Sequence, residues 1–216
     1  MRQFNRNYIG DYEGIARAGN TLYILRSDGT IIEISDFKSD NFKRISYSTG
    51  IPLKDNEGLC YDNKNNRLLI APKEIPREGS GDKNMRFIYG FDLSSKKLVK
   101  EPVFKFSISH VEKFAIENKI EVPMKGKKGE KKEPDIEMGF SAIGIHPKTG
   151  RLFILSAADR LLSVFNMSGK IEYIAKLNSD LFKQPEGITF MDNGDMFISN
   201  EGKQQPPTLV RFNYRH

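Results

Sequence analysis

Carboxylates recur in this sequence at a spacing that no single turn or helix would generate. Glu13, Glu57 and Glu186 each stand before a glycine and an aliphatic residue, in Tyr12-Glu13-Gly14-Ile15, Asn56-Glu57-Gly58-Leu59 and Pro185-Glu186-Gly187-Ile188. A fourth segment, Ala142-Ile143-Gly144-Ile145, has the same form with Ile in place of Glu, and the four positions are separated by 44, 86 and 43 residues. A second acidic set follows the first: Asp28, Glu74, Asp159 and Glu201 lie 15, 17, 16 and 15 residues after the respective repeat positions. If equivalent positions converge, carboxylates that close repel one another and need a cation, bound protons, or donors from Arg and Lys. Oxygen ligands with no Cys or His in any of the motifs favour Ca2+ over Zn2+. Each set also has a plainer use. Glu before Gly can bind backbone amides and orient a repeated turn, and Ser27-Asp28-Gly29 is ordinary turn chemistry.

Other chemistry finds little support. The one cysteine, Cys60, lies in the apolar stretch Gly58-Leu59-Cys60-Tyr61 with no His nearby in sequence, which reads as a buried, inert thiol and excludes an intrachain disulfide. No Gly-x-Ser-x-Gly nucleophile elbow occurs, and His110, His146 and His216 have no partners in sequence. His146, before Pro147 in a turn, reads as structural. The net charge of +6 does not mark a nucleic-acid or membrane patch. Its densest basic run, Lys125, Lys127, Lys128, Lys131 and Lys132, is interleaved with Glu121, Glu130, Glu133, Asp135 and Glu137.

Something must hold these acids in register, and the segments between them say what. Each repeat position is followed by a turn and a second apolar run: Thr21 to Leu25, Arg67 to Ala71, Arg151 to Leu155 and Asp195 to Ser199. The turns carry Asn and Gly, which readily adopt positive φ. A third run follows, as in Thr30 to Ile34, Phe87 to Asp92, Leu161 to Phe165 and Thr208 to Phe212. Three or four short strands in a unit of about 43 residues is the pattern of β-propeller blades. The chain is therefore read as all-β, one β-propeller domain over residues 1–216, with the innermost strands beginning at the repeat positions and ringing a central axis. Tyr23, Ile24, Leu69, Ile70, Phe153, Ile154, Phe197 and Ile198 are placed in second strands. Val111, Phe114 and Ala115 are spaced for one short helix, and the charged stretch Glu121 to Gly139 is read as an exposed loop inserted near 107–139.

At these same residues the sequence resembles the SdiA-regulated, YjiK-like family of bacteria. The resemblance rests on Gly10-Asp11-Tyr12-Glu13-Gly14-Ile15-Ala16, Leu22 to Thr30, Asp55-Asn56-Glu57-Gly58-Leu59, Ser141 to Pro147 and Gln184-Pro185-Glu186-Gly187-Ile188. It implies a propeller of five or six blades, periplasmic or held at the envelope, with Ca2+ near the axis. This chain opens close to the family's second repeat, which implies an incomplete first blade and open edges that must be covered or paired. No signal-peptide h-region and no apolar run near 18 residues are visible.

Two functions compete at this point. One is a non-catalytic binding or scaffold propeller that holds Ca2+ through Glu13, Glu57 and Glu186. It would present a ligand face built from Asp28, Glu74, Asp159, Asn200 and Glu201 to an unknown ligand or envelope protein. The alternative is a Ca2+-dependent propeller hydrolase of the lactonase, phytase or phosphoesterase kind, with Asn200 and Glu201 as candidate ligands.

Overall fold

Alternating apolar residues joined by turn-forming pairs dictate short antiparallel hairpins, and the computed structural model consists of little else. It describes residues 10–74, 76, 83–126, 132–202 and 205–215. The first blade is a four-stranded sheet of β1 (Tyr12–Ala18), β2 (Thr21–Arg26), β3 (Thr30–Ser35) and β4 (Lys43–Ser48), paired in that order. The second contains β5 (Asn56–Asp62), β6 (Arg67–Pro72) and β7 (Met85–Asp92). Two segments divide the outer edge of β7 between them, β8 (Lys97–Leu98) and β9 (Phe104–Ser107).

Helix α1 (Ile108–Glu117) and a two-residue ladder of β10 (Met124–Lys125) with β11 (Glu133–Pro134) come next. The third blade is β12 (Ala142–Ile145), β13 (Leu152–Ser156), β14 (Leu161–Phe165) and β15 (Ile171–Lys176). The fourth has three strands, β16 (Pro185–Phe190), β17 (Met196–Asn200) and β18 (Thr208–Phe212). All eight residues assigned to second strands lie in β2, β6, β13 and β17, and turn residues Asn66, Gly150 and Gly194 take φ of 47°, 67° and 97°. No helix among the described residues is long and apolar enough to cross a membrane.

The innermost strands β1, β5, β12 and β16 lie side by side in that order, so the described residues form an arc of four blades. This differs from the five or six blades that the resemblance implies. Among the described residues the first sheet has four strands and the last has three. The core is three inter-blade layers. Leu25, Ile31, Leu68, Ile70 and Phe91 fill the space between blades 1 and 2, and Leu155, Leu162, Phe182 and Ile198 that between blades 3 and 4. The largest layer lies between blades 2 and 3, where Phe104, Phe106, Val111, Ala115, Phe140, Ile154 and Phe165 pack together.

That middle layer corrects the reading of Glu121 to Gly139 as a wholly exposed loop. Val122, Ile136 and Met138 are buried within it, and Phe140 follows with no exposure at all. Ile136, Met138 and Phe140 alternate, so they enter the core as a strand-like strap whose acidic neighbours face outward. The part of the run at Lys127, Lys128, Glu130 and Lys131 lies outside the described residues.

Candidate functional site

An ordinary antiparallel ladder sends successive residues to opposite faces, and three of the four innermost strands break that rule at one place. Tyr12 pairs with Arg26 and Gly14 with Leu25, which leaves Glu13 as the extra residue of a β-bulge. Asn56 pairs with Pro72 and Gly58 with Ala71, leaving Glu57. Pro185 pairs with Asn200 and Gly187 with Ser199, leaving Glu186. In the third blade Ala142 pairs with Leu155 and Ile143 with Ile154, with no interruption. The glutamate is thus the bulged residue wherever the repeat carries one, and the blade with Ile keeps a regular register. A bulge re-aims a side chain that the pleat would otherwise fix. It is also stitched in place, because the carbonyls of Asp11, Asp55 and Gln184 accept from the amides of Ser27, Lys73 and Glu201 at 3.0, 2.7 and 2.9 Å.

The three glutamates line one cleft of about 550 Å³ that opens between blade 1 and blade 4. Its walls are apolar, with Ile15 and Ile24 on one side and Ile188, Phe197 and Leu209 on the other. Glu57 is 7% exposed, and its Oε1 accepts from Lys73 Nζ at 2.6 Å, while its buried Oε2 has no partner. Glu186 accepts from Gln184 Nε2 at 2.7 Å. Burial pushes the carboxyl of Glu57 up to about 7; Lys73 opposes that shift, and Glu186 and Asp55 add to it. Glu13 is likewise pushed up to about 7 by burial and by Asp11, Asp55 and Glu186. Lys73 is itself held more basic than usual, because the pull of Glu57, Glu186 and Asp55 outweighs its own burial. Around the mouth the carboxylates of Glu13, Glu57, Glu186, Asp11 and Asp55 outnumber the ammonium of Lys73.

The second acidic set is placed differently, and none of its members lines this cleft. Asp28 accepts from the amide of Thr30 at 3.0 Å and pairs with Arg26 at 2.9 Å. Glu74 accepts from the amide of Lys54. Asp159 is buried, taking the amides of Glu137 and Met138 at 3.0 and 2.7 Å and the hydroxyl of Ser156 at 2.6 Å. Glu201 is exposed. Asn200 is buried, donating to Leu181 O and Thr208 Oγ1 while its Oδ1 has no partner. Asp28 thus holds its own turn, whereas Asp159 chiefly holds the backbone of the 137–138 segment. His146 is structural too: Nδ1 accepts from the amides of Lys148 and Thr149, and the ring packs against Phe190 and Tyr214. Cys60 is buried, and burial pushes its thiol up.

Sequence reading missed Lys73 and the acids Asp11 and Asp55. Lys73 follows a strand with nothing to mark it. The two aspartates did carry a signal, since each stands two residues before a repeat glutamate. Whether the donors suit Ca2+ can be tested on the cleft itself. In favour stand three carboxylates with one unpartnered buried oxygen. Against a ready-made cage, no three Asp, Glu, His or Cys side chains among the described residues stand close enough to enclose a metal.

Solved structures with similar folds include a chain of the nidogen/laminin complex, with a TM-score of 0.53, 11% identity and 91% of this chain covered. A protein of unknown function from Bacteroides caccae matches with a TM-score of 0.50, 10% identity and 98% coverage. Glutaminyl cyclase from Myxococcus xanthus matches with a TM-score of 0.55, 15% identity and 93% coverage. The chain spans 58%, 63% and 71% of these structures respectively, and at such identities the likeness is one of fold alone. No curated protein matches the sequence. A profile of the SdiA-regulated family matches residues 98–212, more than half of the 216 residues. With the bulged repeat and the arc of blades, that match makes this chain a member of the SdiA-regulated family.

Proposed function

We propose that the chain is a non-catalytic binding or scaffold propeller of the bacterial envelope, with Ca2+ held at its axial mouth by Glu13, Glu57 and Glu186. The observation that carries this reading is Glu57 Oε2, a buried carboxylate oxygen without a donor in a cleft shared with two more glutamates. Leaving such an atom unpaired is costly, and a cation in the mouth would relieve that cost and the mutual repulsion together. Lys73 offsets one charge of the group, which leaves room for a divalent ion. Placement at the envelope follows from what family resemblance implies.

The test is metal analysis of purified protein together with thermal melts of the wild type and Glu57→Gln. Ca2+ should raise the wild-type melting temperature, and Glu57→Gln should reduce that increment, because a ligand stabilises only the state that binds it. Equal destabilisation with and without Ca2+ would return Glu57 to a turn-orienting role. Lactone or phosphoester turnover abolished by chelation would replace the binding reading with a hydrolase.

A further inference from the structure

The glycine of each repeat has a second role, which the last blade leaves unfilled. A Cβ on Gly14 would stand 2.7 Å from Leu59 of the next innermost strand. One on Gly58 would stand 3.1 Å from Ile143, and one on Gly144 would stand 3.0 Å from Phe190 and 3.4 Å from Ile188. In each case an apolar side chain of the following strand sits on the bare glycine, as a knob on a flat. Gly187 is the same residue in the same place. Among the described residues its virtual Cβ meets only the side chain of Ser199, in its own blade, and the face beyond opens into the cleft. On the opposite wall Ile15, which corresponds in the repeat to Leu59 and Ile188, is 64% exposed. The cleft therefore has a flat without a knob on one wall, a knob without a flat on the other, and unbalanced carboxylates at its mouth.

We propose that the cleft between blades 1 and 4 binds an extended peptide segment of a partner, with an aliphatic side chain seated on Gly187 and a neighbouring Lys or Arg side chain on Glu13, Glu57 and Glu186. Three features select this occupant. The repeat's own packing calls for an aliphatic group on extended backbone at Gly187. The mouth calls for a cation, and the donorless Glu57 Oε2 calls for a hydrogen-bond donor; an ammonium or guanidinium supplies both at once, whereas a neutral donor leaves the charge unmatched. The volume of about 550 Å³ suits a few residues rather than a folded domain. The proposal rests on the binding-propeller reading but not on Ca2+, which would compete for the same oxygens.

The experiment screens the full chain against a positional library of N-acetylated, C-amidated hexapeptides in chelator, and measures the selected consensus peptide by calorimetry. The library should select Lys or Arg next to, or two residues from, Val, Ile or Leu, with one peptide bound per chain. Replacing the peptide's basic residue with Gln should weaken binding by about tenfold or more, the loss of one charge-assisted hydrogen bond. Gly187→Val, which fills the flat, and Ile15→Asp, an exposed change on the other wall, should each weaken it by a similar factor, while Glu117→Gln, exposed at the end of α1, leaves it unchanged. Thermal melts establish that the variants fold, and either wall variant suffices if the other does not. A library that selects nothing, or a peptide whose binding ignores both walls, overturns the proposal. So does concentration-dependent self-association abolished by Ile15→Asp, which would assign the cleft to a second copy. Peptide binding without Ca2+ binding overturns only the Ca2+ reading, whereas Ca2+ binding without peptide selection overturns only this inference.

Discussion

Blade 2 and blade 3 answer the same repeat position in opposite ways. In blade 2 the position is Glu57, extruded from the ladder as a bulge with one oxygen on Lys73 and the other without a donor. In blade 3 it is Ile143, in regular register with Ile154, 2% exposed and packed in the layer between the two blades. The local scaffold is shared, down to a glycine that admits the neighbouring strand. What differs is whether the residue must reach the axis or fill the core. A carboxylate cannot remain in a dry layer, so a strand carrying one gains by bulging, and a strand carrying an isoleucine gains nothing from the lost pairing. The bulge thus goes with the glutamate rather than with the repeat.

The strongest way to break this comparison is Ile143→Glu. If register follows the side chain, the innermost strand of the third blade must either bulge or bury a lone carboxylate, and the second course costs about 3–5 kcal/mol. Urea unfolding should show a loss of that order at neutral pH, shrinking as pH falls and the new acid is protonated. A loss under about 1 kcal/mol would mean that the strand bulges on demand.

The paired glycines come next. Gly58→Ala forces a methyl against Ala71 and Ile143, both fixed in the core, and overpacking of that kind costs about 1–3 kcal/mol. Gly187→Ala meets only the Ser199 side chain, whose hydroxyl can rotate away, so its effect should be smaller in the same unfolding assay. Equal losses would mean that both glycines serve the backbone and not the neighbouring blade.

A smaller effect is expected in the pH profile. The carboxyls of Glu13 and Glu57 are raised from 4.5 to about 7, so between those values the folded chain holds more protons than the unfolded one. Stability without a cation should therefore fall as pH rises through that window. His146 slopes the other way, since burial lowers its affinity for a proton and stability is lost as pH drops below its ordinary value of 6.5. The informative readout is the wild-type melting profile minus that of Glu13→Gln/Glu57→Gln in chelator. A difference that is flat, or that rises with pH, contradicts the assigned repulsion. Glu201→Gln, at an exposed position, should change stability by no more than about 0.5 kcal/mol at any pH.

Much of this architecture was legible in the sequence. The second and third strands came from alternating runs, and the place of Glu13, Glu57 and Glu186 at the start of innermost strands followed from equal places in a repeat. The bulges were not legible, because register is a property of two strands and a one-residue shift leaves no mark in either alone. Lys73 was missed for a related reason: its value lies in reaching across to Glu57, 16 residues earlier. In the inserted segment the charges of Glu133, Asp135 and Glu137 outvoted Ile136, Met138 and Phe140. Three alternating apolar residues make a weak signal until the wall they pack against is known.

The strap formed by those residues governs how the molecule comes apart. An array of blades that touch only their neighbours would unravel from its ends one unit at a time. Here Asp159 of the third blade holds the amides of Glu137 and Met138, while Arg86 of the second, 3% exposed, donates its Nε to the carbonyl of Glu137 at 2.8 Å. Neither blade can swing away without breaking these bonds at a buried guanidinium or a buried carboxylate, which couples the opening of the two. Amides of Leu69, Ile88 and Ile154 should exchange with solvent only when the two blades open together, well after those of β18 at the edge of the arc have been replaced.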